Sequence, residues 1–222
     1  MLLALDTSTL TCGIAVYDDP VIVGEMQWRS ANHHTVELAP AVQDLLKRCA
    51  ISTTDLKAIA VALGPGSFTS LRISLALAKG LALSLRIPLI GIPTFEYQAA
   101  SQSLSSEPLL TVIPAGRSRM AVQEFSALDG KWQPVDEPQV MTPEQISDRI
   151  NGPTRICGEM NVSERQVIGR KWKNAMISSP SLAMRRTSVL AEMAWKRWKN
   201  GQVDDPIQLS PIYLHIAGMI TE

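Results

Sequence analysis

The stretch that decides the fold of this 222-residue chain is Gly64-Pro65-Gly66-Ser67-Phe68-Thr69-Ser70-Leu71-Arg72. The apolar run 59–63 precedes it, and a long apolar segment follows it as far as residue 85. Glycine tolerates positive φ angles, proline favours a turn, and a serine hydroxyl can cap the first N–H groups of a helix. The stretch therefore predicts a strand, a tight loop and a helix N-terminus, an arrangement at which α/β proteins bind anionic ligands.

The elements around this stretch predict the N-terminal half of the fold. Short connections join three predicted strands, which must therefore form an antiparallel meander. After them, apolar residues at helical spacing predict a helix from about residue 35 to 49. The predicted strands are 2–5, 13–17, 21–28, 58–63 and 89–92, and a second helix covers 68–85. The order βββ-α-β-α-β is typical of a ribonuclease-H-like lobe.

The pattern partly restarts after the polar, linker-like segment 101–108. Thr142, Pro143 and Gln145 predict a helix start with a capping box, and a further helix covers 187–199 until Asn200-Gly201 ends it. The predicted strands of this half are 109–113, 120–125, 154–157 and 175–178. We predict an α/β chain of two lobes, residues 1–100 and a smaller lobe over 101–222, whose C-terminal segment can return to the first.

Composition indicates an ordinary globular protein. Lys plus Arg and Asp plus Glu both number 21, which gives no overall attraction to polyphosphates or membrane surfaces. Residues 151–222 hold ten basic and six acidic side chains, a local surplus of four that is better explained by a solvated surface than by contact with an anionic polymer. Three separated cysteines without metal spacing predict free thiols. The first residues lack a basic signal-peptide region and no 18-residue window is free of charge, so we expect a cytosolic protein without a membrane span.

An acidic residue and three hydroxyls follow the first strand as Asp6-Thr7-Ser8-Thr9. Together with the glycine loop they predict a phosphate or nucleotide site, vestigial or at an interface. That candidate site comprises Asp6, Thr7, Ser8, Gly64, Gly66 and Ser67. The alternative is an Asx turn in which the carboxylate accepts hydrogen bonds from its own loop. The matching hairpin of the second lobe, 113–118, has no carboxylate to help hold a cation, which argues against phosphoryl transfer by this chain.

The other chemistry-bearing residues give little support for catalysis. The histidines are His33, His34 and His215, and none has a second histidine three or four residues on. Glu37 lies four residues after His33, but a carboxylate at a helix N-terminus is the simpler explanation. The chain also lacks a G-x-S-x-G sequence, and Ser67 is better explained as a helix cap. We therefore predict neither a catalytic site nor a metal site.

The helix predicted over 68–85 is apolar around almost its whole circumference, with Arg72 and Lys79 its only charged residues. A helix that covers one face of its own sheet needs a single apolar stripe. Its outer side must therefore be covered either by the same chain or by a partner protein, and we favour a partner. That outer side comprises Ile73, Leu77, Gly80, Leu81 and Ser84.

Four stretches together resemble the TsaB (YeaZ) family. They are Leu3-Ala4-Leu5-Asp6-Thr7-Ser8-Thr9, His34-Thr35-x-x-Leu38-x-Pro40, the glycine stretch quoted above, and Pro211-x-Tyr213-Leu214. The resemblance is close over about the first 100 residues and looser beyond them. It implies a two-lobed, actin-like ASKHA fold and a non-catalytic scaffold or activator subunit of the complex that forms N6-threonylcarbamoyladenosine at adenosine 37 of tRNA. It also implies pairing of the two apolar helices with a TsaD-type transferase, or with a second copy when that partner is absent. The residues expected at that interface are Leu38, Val42, Leu45, Leu46, Ile73, Leu77, Gly80 and Leu81.

The resemblance adds further expectations and shows two departures. A TsaE-type ATPase is the implied third member, and ATP or ADP at the partner interface is the one cofactor left open. The segment 114–118 lacks the Asp-Ala-Arg usual in the family, and Ser70 replaces the usual glycine after Thr69. TsaD-like proteins carry a His-x-x-x-His pair that is absent here. The alternatives are a stand-alone actin-like kinase or ATPase, and a metallopeptidase-like protein.

Overall fold

A computed structural model of the protein describes residues 1–31, 33–171 and 173–214. The chain divides into two compact units, each with its own sheet. The first unit joins Met1–Tyr97 to Arg186–Ile212, and the second contains Gln98–Arg185 with Tyr213 and Leu214. The predicted boundary placed residues 186–212 in the second lobe, and we expected that this C-terminal segment could pack back on the first. Residues 186–212 belong to the first unit.

The first unit contains a five-stranded sheet of order β3-β2-β1-β4-β5. Its strands are β1 (Leu2–Asp6), β2 (Thr11–Asp18), β3 (Val21–Arg29), β4 (Ala58–Ala62) and β5 (Leu89–Ile92). β1, β2 and β3 pair antiparallel, whereas β4 pairs parallel to β1 and to β5. The predicted meander and the order βββ-α-β-α-β are confirmed.

Helices cover both faces of this sheet. α1 (His34–Arg48) and α2 (Phe68–Leu85) lie on one face and α6 (Thr187–Lys199) on the other, while α3 (Thr94–Ala100) follows β5. Because side chains alternate along a strand, Leu3 and Leu5 pack beneath α1 and α2 while Leu2 and Ala4 pack beneath α6. β1 and β4 are buried on both faces, which explains their uninterrupted apolar sequences.

The second unit contains a six-stranded sheet of order β11-β10-β6-β7-β8, with β9 paired to β7. Its strands are β6 (Leu109–Pro114), β7 (Met120–Leu128), β8 (Lys131–Pro134), β9 (Gln139–Met141), β10 (Thr154–Gly158) and β11 (Ala175–Ile177). Two short helices, α4 (Pro143–Arg149) and α5 (Val162–Ile168), complete the described part of this unit. The capping box at α4 is confirmed, because Thr142 and Gln145 exchange side-chain and backbone hydrogen bonds.

α2 is long and apolar enough to cross a membrane by length and composition, with a mean hydropathy of 1.3 over its 18 residues. We expected no such segment because Arg72 and Lys79 lie within this helix. Two cations, however, do not by themselves prevent a helix from crossing a membrane. A single helix of this kind is weak support for a membrane span, because core helices of soluble proteins have the same composition. Leu71, Leu75, Ala78 and Ala82 line the buried side of α2, as in a helix that covers a sheet.

The three free cysteines differ in accessibility, which gives a direct test of the fold. Cys12 and Cys157 are fully buried, and burial raises the pKa of the Cys157 thiol to about 11. Cys49 is half-buried. Because the thiolate is the reactive form, a disulfide reagent at mildly alkaline pH should label Cys49 at least about tenfold faster than the other two. A Cys49→Ser variant should lose the fast phase. Rapid labelling of Cys157 in the native protein would contradict this packing.

Candidate functional site

The polar site predicted after β1 is built around a buried carboxylate. The Asp6 side chain is only 1% exposed. Its Oδ1 accepts a hydrogen bond from the Ser8 backbone N–H at 2.7 Å, and its Oδ2 accepts one from the Tyr97 hydroxyl at 2.5 Å. The first bond is the Asx turn that the sequence allowed as an alternative. Both carboxylate oxygens therefore have donors from the chain itself.

The glycine loop lies directly against this turn. The Ser67 N–H donates to the Ser8 carbonyl at 2.7 Å, and a Cβ atom at Gly66 would collide with that carbonyl oxygen. Gly64 has a φ of +104°, a conformation that side chains disfavour. Glycine is thus required at 66 for close approach and at 64 for backbone conformation. The predicted cap is confirmed, since the Ser67 side chain accepts from the Ser70 N–H at the start of α2.

Thr94, which the sequence analysis did not include, links the two loops. Its hydroxyl accepts a hydrogen bond from the Gly64 N–H at 3.1 Å and lies 2.9 Å from the Ser8 hydroxyl. The Thr7 hydroxyl donates to the Ser70 carbonyl at 2.6 Å. The six predicted residues are therefore brought together with Thr94 and Tyr97, in what we term the loop network. β4 and β5 pair parallel, so Gly64 and Thr94, each two residues after its strand, lie at the same sheet edge.

Three backbone donors that could meet a phosphate are already used within the loop network. The N–H groups of Ser8, Gly64 and Ser67 all donate to oxygens of this chain. Binding a phosphate or a cation through Asp6 would require breaking buried hydrogen bonds, each of which stabilises the fold by about 1 kcal/mol or more. The geometry is suited to holding the loops and the start of α2 in place.

The carboxylate of the candidate His33–Glu37 pair already has a hydrogen-bond partner in the chain. Glu37 accepts a hydrogen bond from the Trp28 ring N–H at 2.9 Å, and this bond, with one from Ser30, lowers the pKa of Glu37. His34 is buried, with its Nε2 3.1 Å from the Thr9 carbonyl oxygen. Across 1–31, 33–171 and 173–214, no three His, Cys, Asp or Glu side chains converge as metal ligands do. His215 lies outside the described residues.

The segment 114–118 forms the exposed turn between β6 and β7. Gly116, Arg117 and Ser118 all have positive φ angles, between 50° and 75°. The turn is closed by a hydrogen bond from the Arg119 N–H to the Gly116 carbonyl. It presents basic and hydroxyl side chains where the sequence resemblance led us to expect an aspartate.

The predicted interface residues divide into two groups. Those on α1 are fully used inside the first unit: Leu38, Val42, Leu45 and Leu46 are between 1% and 6% exposed and belong to its core. We therefore correct the prediction that these four residues contact a partner. α1 has one apolar stripe and uses it to cover its own sheet. The exposed side of α1 presents other residues, among them Val36, Ala39 and Pro40.

The residues on α2 remain accessible. Ile73, Leu77 and Leu81 are half-buried, and Gly80 is exposed with no atom within 4 Å of where its Cβ would lie. Phe68 and Leu83 are 53% and 62% exposed, and Val36 on α1 is 70% exposed. We call this surface the open α1–α2 face. Its members are Val36, Ala39, Pro40, Phe68, Ile73, Ala76, Leu77, Gly80, Leu81, Leu83 and Ser84.

A groove of about 430 Å³ runs along this face between the two helices. Thr35 and Ala39 line it from α1, and Thr69, Ile73 and Ala76 line it from α2. At one end the Arg72 guanidinium lies 3.6 Å from the centroid of the Phe68 ring, a cation–π contact. Small side chains along the groove allow another helix to approach closely.

Comparison with known proteins places this geometry in a family. A family model described as TsaD, tRNA N6-adenosine threonylcarbamoyltransferase, matches residues 28–182. The tRNA threonylcarbamoyladenosine biosynthesis protein TsaB of Escherichia coli K12 is 32% identical over 161 residues, which span 71% of this chain and 68% of that protein. The Haemophilus influenzae protein of the same name is 25% identical over 225 residues, covering 96% and 92% of the two chains.

Solved structures show the same fold. The structure titled YeaZ from Pseudomonas aeruginosa matches with a TM-score of 0.78 at 24% identity, covering 96% of this chain and 99% of that chain. Component A of (R)-2-hydroxyglutaryl-CoA dehydratase from Acidaminococcus fermentans matches with a TM-score of 0.52 at 10% identity, covering 88% and 98%. The expected two-lobed actin-like α/β fold is confirmed.

Replacing Tyr97 by Phe tests whether the loop network is structural. The change removes the hydrogen bond from the Tyr97 hydroxyl to a buried carboxylate, and we expect the free energy of unfolding to fall by about 2 kcal/mol in urea titration. Tyr17→Phe is the matched control, because the Tyr17 hydroxyl donates to Asp19, which is exposed to water. That control should lose less than about 1 kcal/mol. Equal losses in the two variants would show that Asp6 does not depend on Tyr97.

Proposed function

Because the chain belongs to the TsaB family of tRNA threonylcarbamoyladenosine biosynthesis proteins, we propose that it is the non-catalytic scaffold and activator of a TsaD-type transferase. The observation that carries this proposal is the open α1–α2 face. A TsaE-type ATPase would be the third member of the assembly. Without its transferase, the chain would pair with a second copy through the same face.

The open α1–α2 face supports a partner because of the apolar surface that it leaves in water. Phe68, Leu83 and Val36 are each more than half exposed on neighbouring helices. Burying one such side chain completely contributes about 1.5–3 kcal/mol. The largely apolar groove between these helices, lined by Phe68, Ile73, Ala76 and Leu77, is surface of the kind that protein interfaces use.

The loop network supports an accessory role instead of catalysis by this chain. The Asp6 carboxylate, the best candidate for chemistry, is buried and bonded to Ser8 and Tyr97. An actin-like kinase or ATPase would need that carboxylate turned towards a nucleotide and its cation. We propose that the chain acts in the cytoplasm, needs no cofactor of its own, and contacts tRNA weakly or through its partners.

Each of the two enzyme alternatives can be tested by one measurement on the purified chain. A stand-alone kinase or ATPase would turn over Mg-ATP as the purified chain, and a metallopeptidase-like protein would hold stoichiometric zinc or iron. We expect neither turnover above the rate of a Tyr97→Phe variant nor stoichiometric metal by elemental analysis. Turnover that the variant abolishes would contradict the accessory role.

A substitution at Gly80 separates binding from folding. Space around Gly80 is open in the free chain, so Gly80→Gln should fold and gain helix propensity, with about 0.5 kcal/mol more stability. In a close helix contact the added side chain would hold the partner away. We expect at least about tenfold weaker binding to the cognate TsaD-type protein by calorimetry, and less modified tRNA in a reconstituted reaction.

Gly152→Gln is the matched control, because Gly152 also has no atom within 4 Å of where its Cβ would lie but belongs to the second unit. It should bind the TsaD-type protein with wild-type affinity. If Gly80→Gln bound as tightly as this control, the open α1–α2 face would not be the contact surface.

A further inference from the structure

The charges on the two helices of the open α1–α2 face are unequal. Five basic residues lie on α1, on α2 or at the C-cap of α2, namely Lys47, Arg48, Arg72, Lys79 and Arg86. The same elements carry only two carboxylates, Glu37 and Asp44. Five positive charges less two negative charges leave a surplus of three, although the whole chain is neutral.

Both carboxylates are already engaged within the first unit. Glu37 accepts from the Trp28 ring N–H at 2.9 Å. Asp44 pairs with Arg48 at 2.7 Å, one turn further along α1. Neither carboxylate is therefore available to meet a cation brought by another protein, and Lys79 and Arg86 are left as cations beside the open α1–α2 face.

The cations lie beside the exposed apolar residues. Arg72, Lys79 and Arg86 follow one another at intervals of seven residues, so they share one side of the helix. Phe68 precedes Arg72 by four residues and Leu83 follows Lys79 by four, which places both on the same exposed side. Covering Phe68 and Leu83 would partly remove water from these cations, and their interaction with charges of a partner would strengthen.

We propose that the occupant of this face is a helical surface carrying aspartate or glutamate opposite Lys79 and Arg86, and that these charges select that partner over a second copy of the chain. The inference rests on the proposed function and names the chemistry of its partner. A second copy brings the same surplus of cations, and like charges within a Debye length of about 8–10 Å repel. Complementary charge instead accelerates association and excludes wrong partners.

The test reverses two of the cations in the full chain. Lys79→Glu together with Arg86→Glu should slow association with the cognate TsaD-type protein by about tenfold at low salt, measured by stopped-flow mixing. The wild-type rate should fall as NaCl rises from about 20 to about 200 mM, and the variant rate should depend less on salt. Arg119→Glu with Lys131→Glu is the control, because it changes net charge equally at two exposed residues of the second unit.

The results distinguish a failure of the charge inference from a failure of the proposed scaffold role. If Gly80→Gln weakens binding but the charge reversal does not, or if the control slows association equally, the charge inference is wrong and the scaffold role stands. If the wild-type chain does not bind the TsaD-type protein, both are wrong. An independent result comes from the chain alone: an equal mixture of wild type and Lys79→Glu/Arg86→Glu should sediment with more dimer than either protein separately. Equal dimer fractions would overturn the inference.

Discussion

The unequal burial of α2 is the constraint on which the rest of the structure depends. One side of this helix covers β4 with Leu71, Leu75 and Ala78. The opposite side carries Arg72 and Lys79 as its only charges, and Phe68 and Leu83 beside them remain largely exposed. A helix that served only its own sheet would have a polar outer side. The composition of α2 therefore supports our proposal that a second polypeptide covers its outer side.

The loop network serves the same helix. Thr7 and Ser67 hold the first turn of α2 through Ser70, and the glycine loop fits against Ser8 at backbone contact distance. These polar groups satisfy one another in a buried setting, which makes the network rigid and costly to open. The residues that first indicated a nucleotide site thus position the N-terminal end of α2, and with it the groove beside α1.

The sequence predicted the elements of the first unit well, because its strands and helices are marked by uninterrupted apolar runs and by turn residues. It could not show whether Leu38 and Leu45 pack on this chain's own core or on a partner, since helical spacing reveals an apolar stripe without revealing what packs on it. It also could not pair Asp6 with Tyr97, which lies 91 residues away and contacts the carboxylate only through the fold. Strands β8 and β9 were missed because both are short and partly exposed.

Hydrogen exchange of the backbone amides tests the central claim most directly. The chain would be measured alone and in the presence of an excess of its cognate TsaD-type protein. The account predicts that exchange slows in α2, from Phe68 to Leu85, and in the first half of α1, while β7 and β8 are unchanged. A complex that forms with unaltered exchange in α2, and with protection elsewhere, would contradict the account.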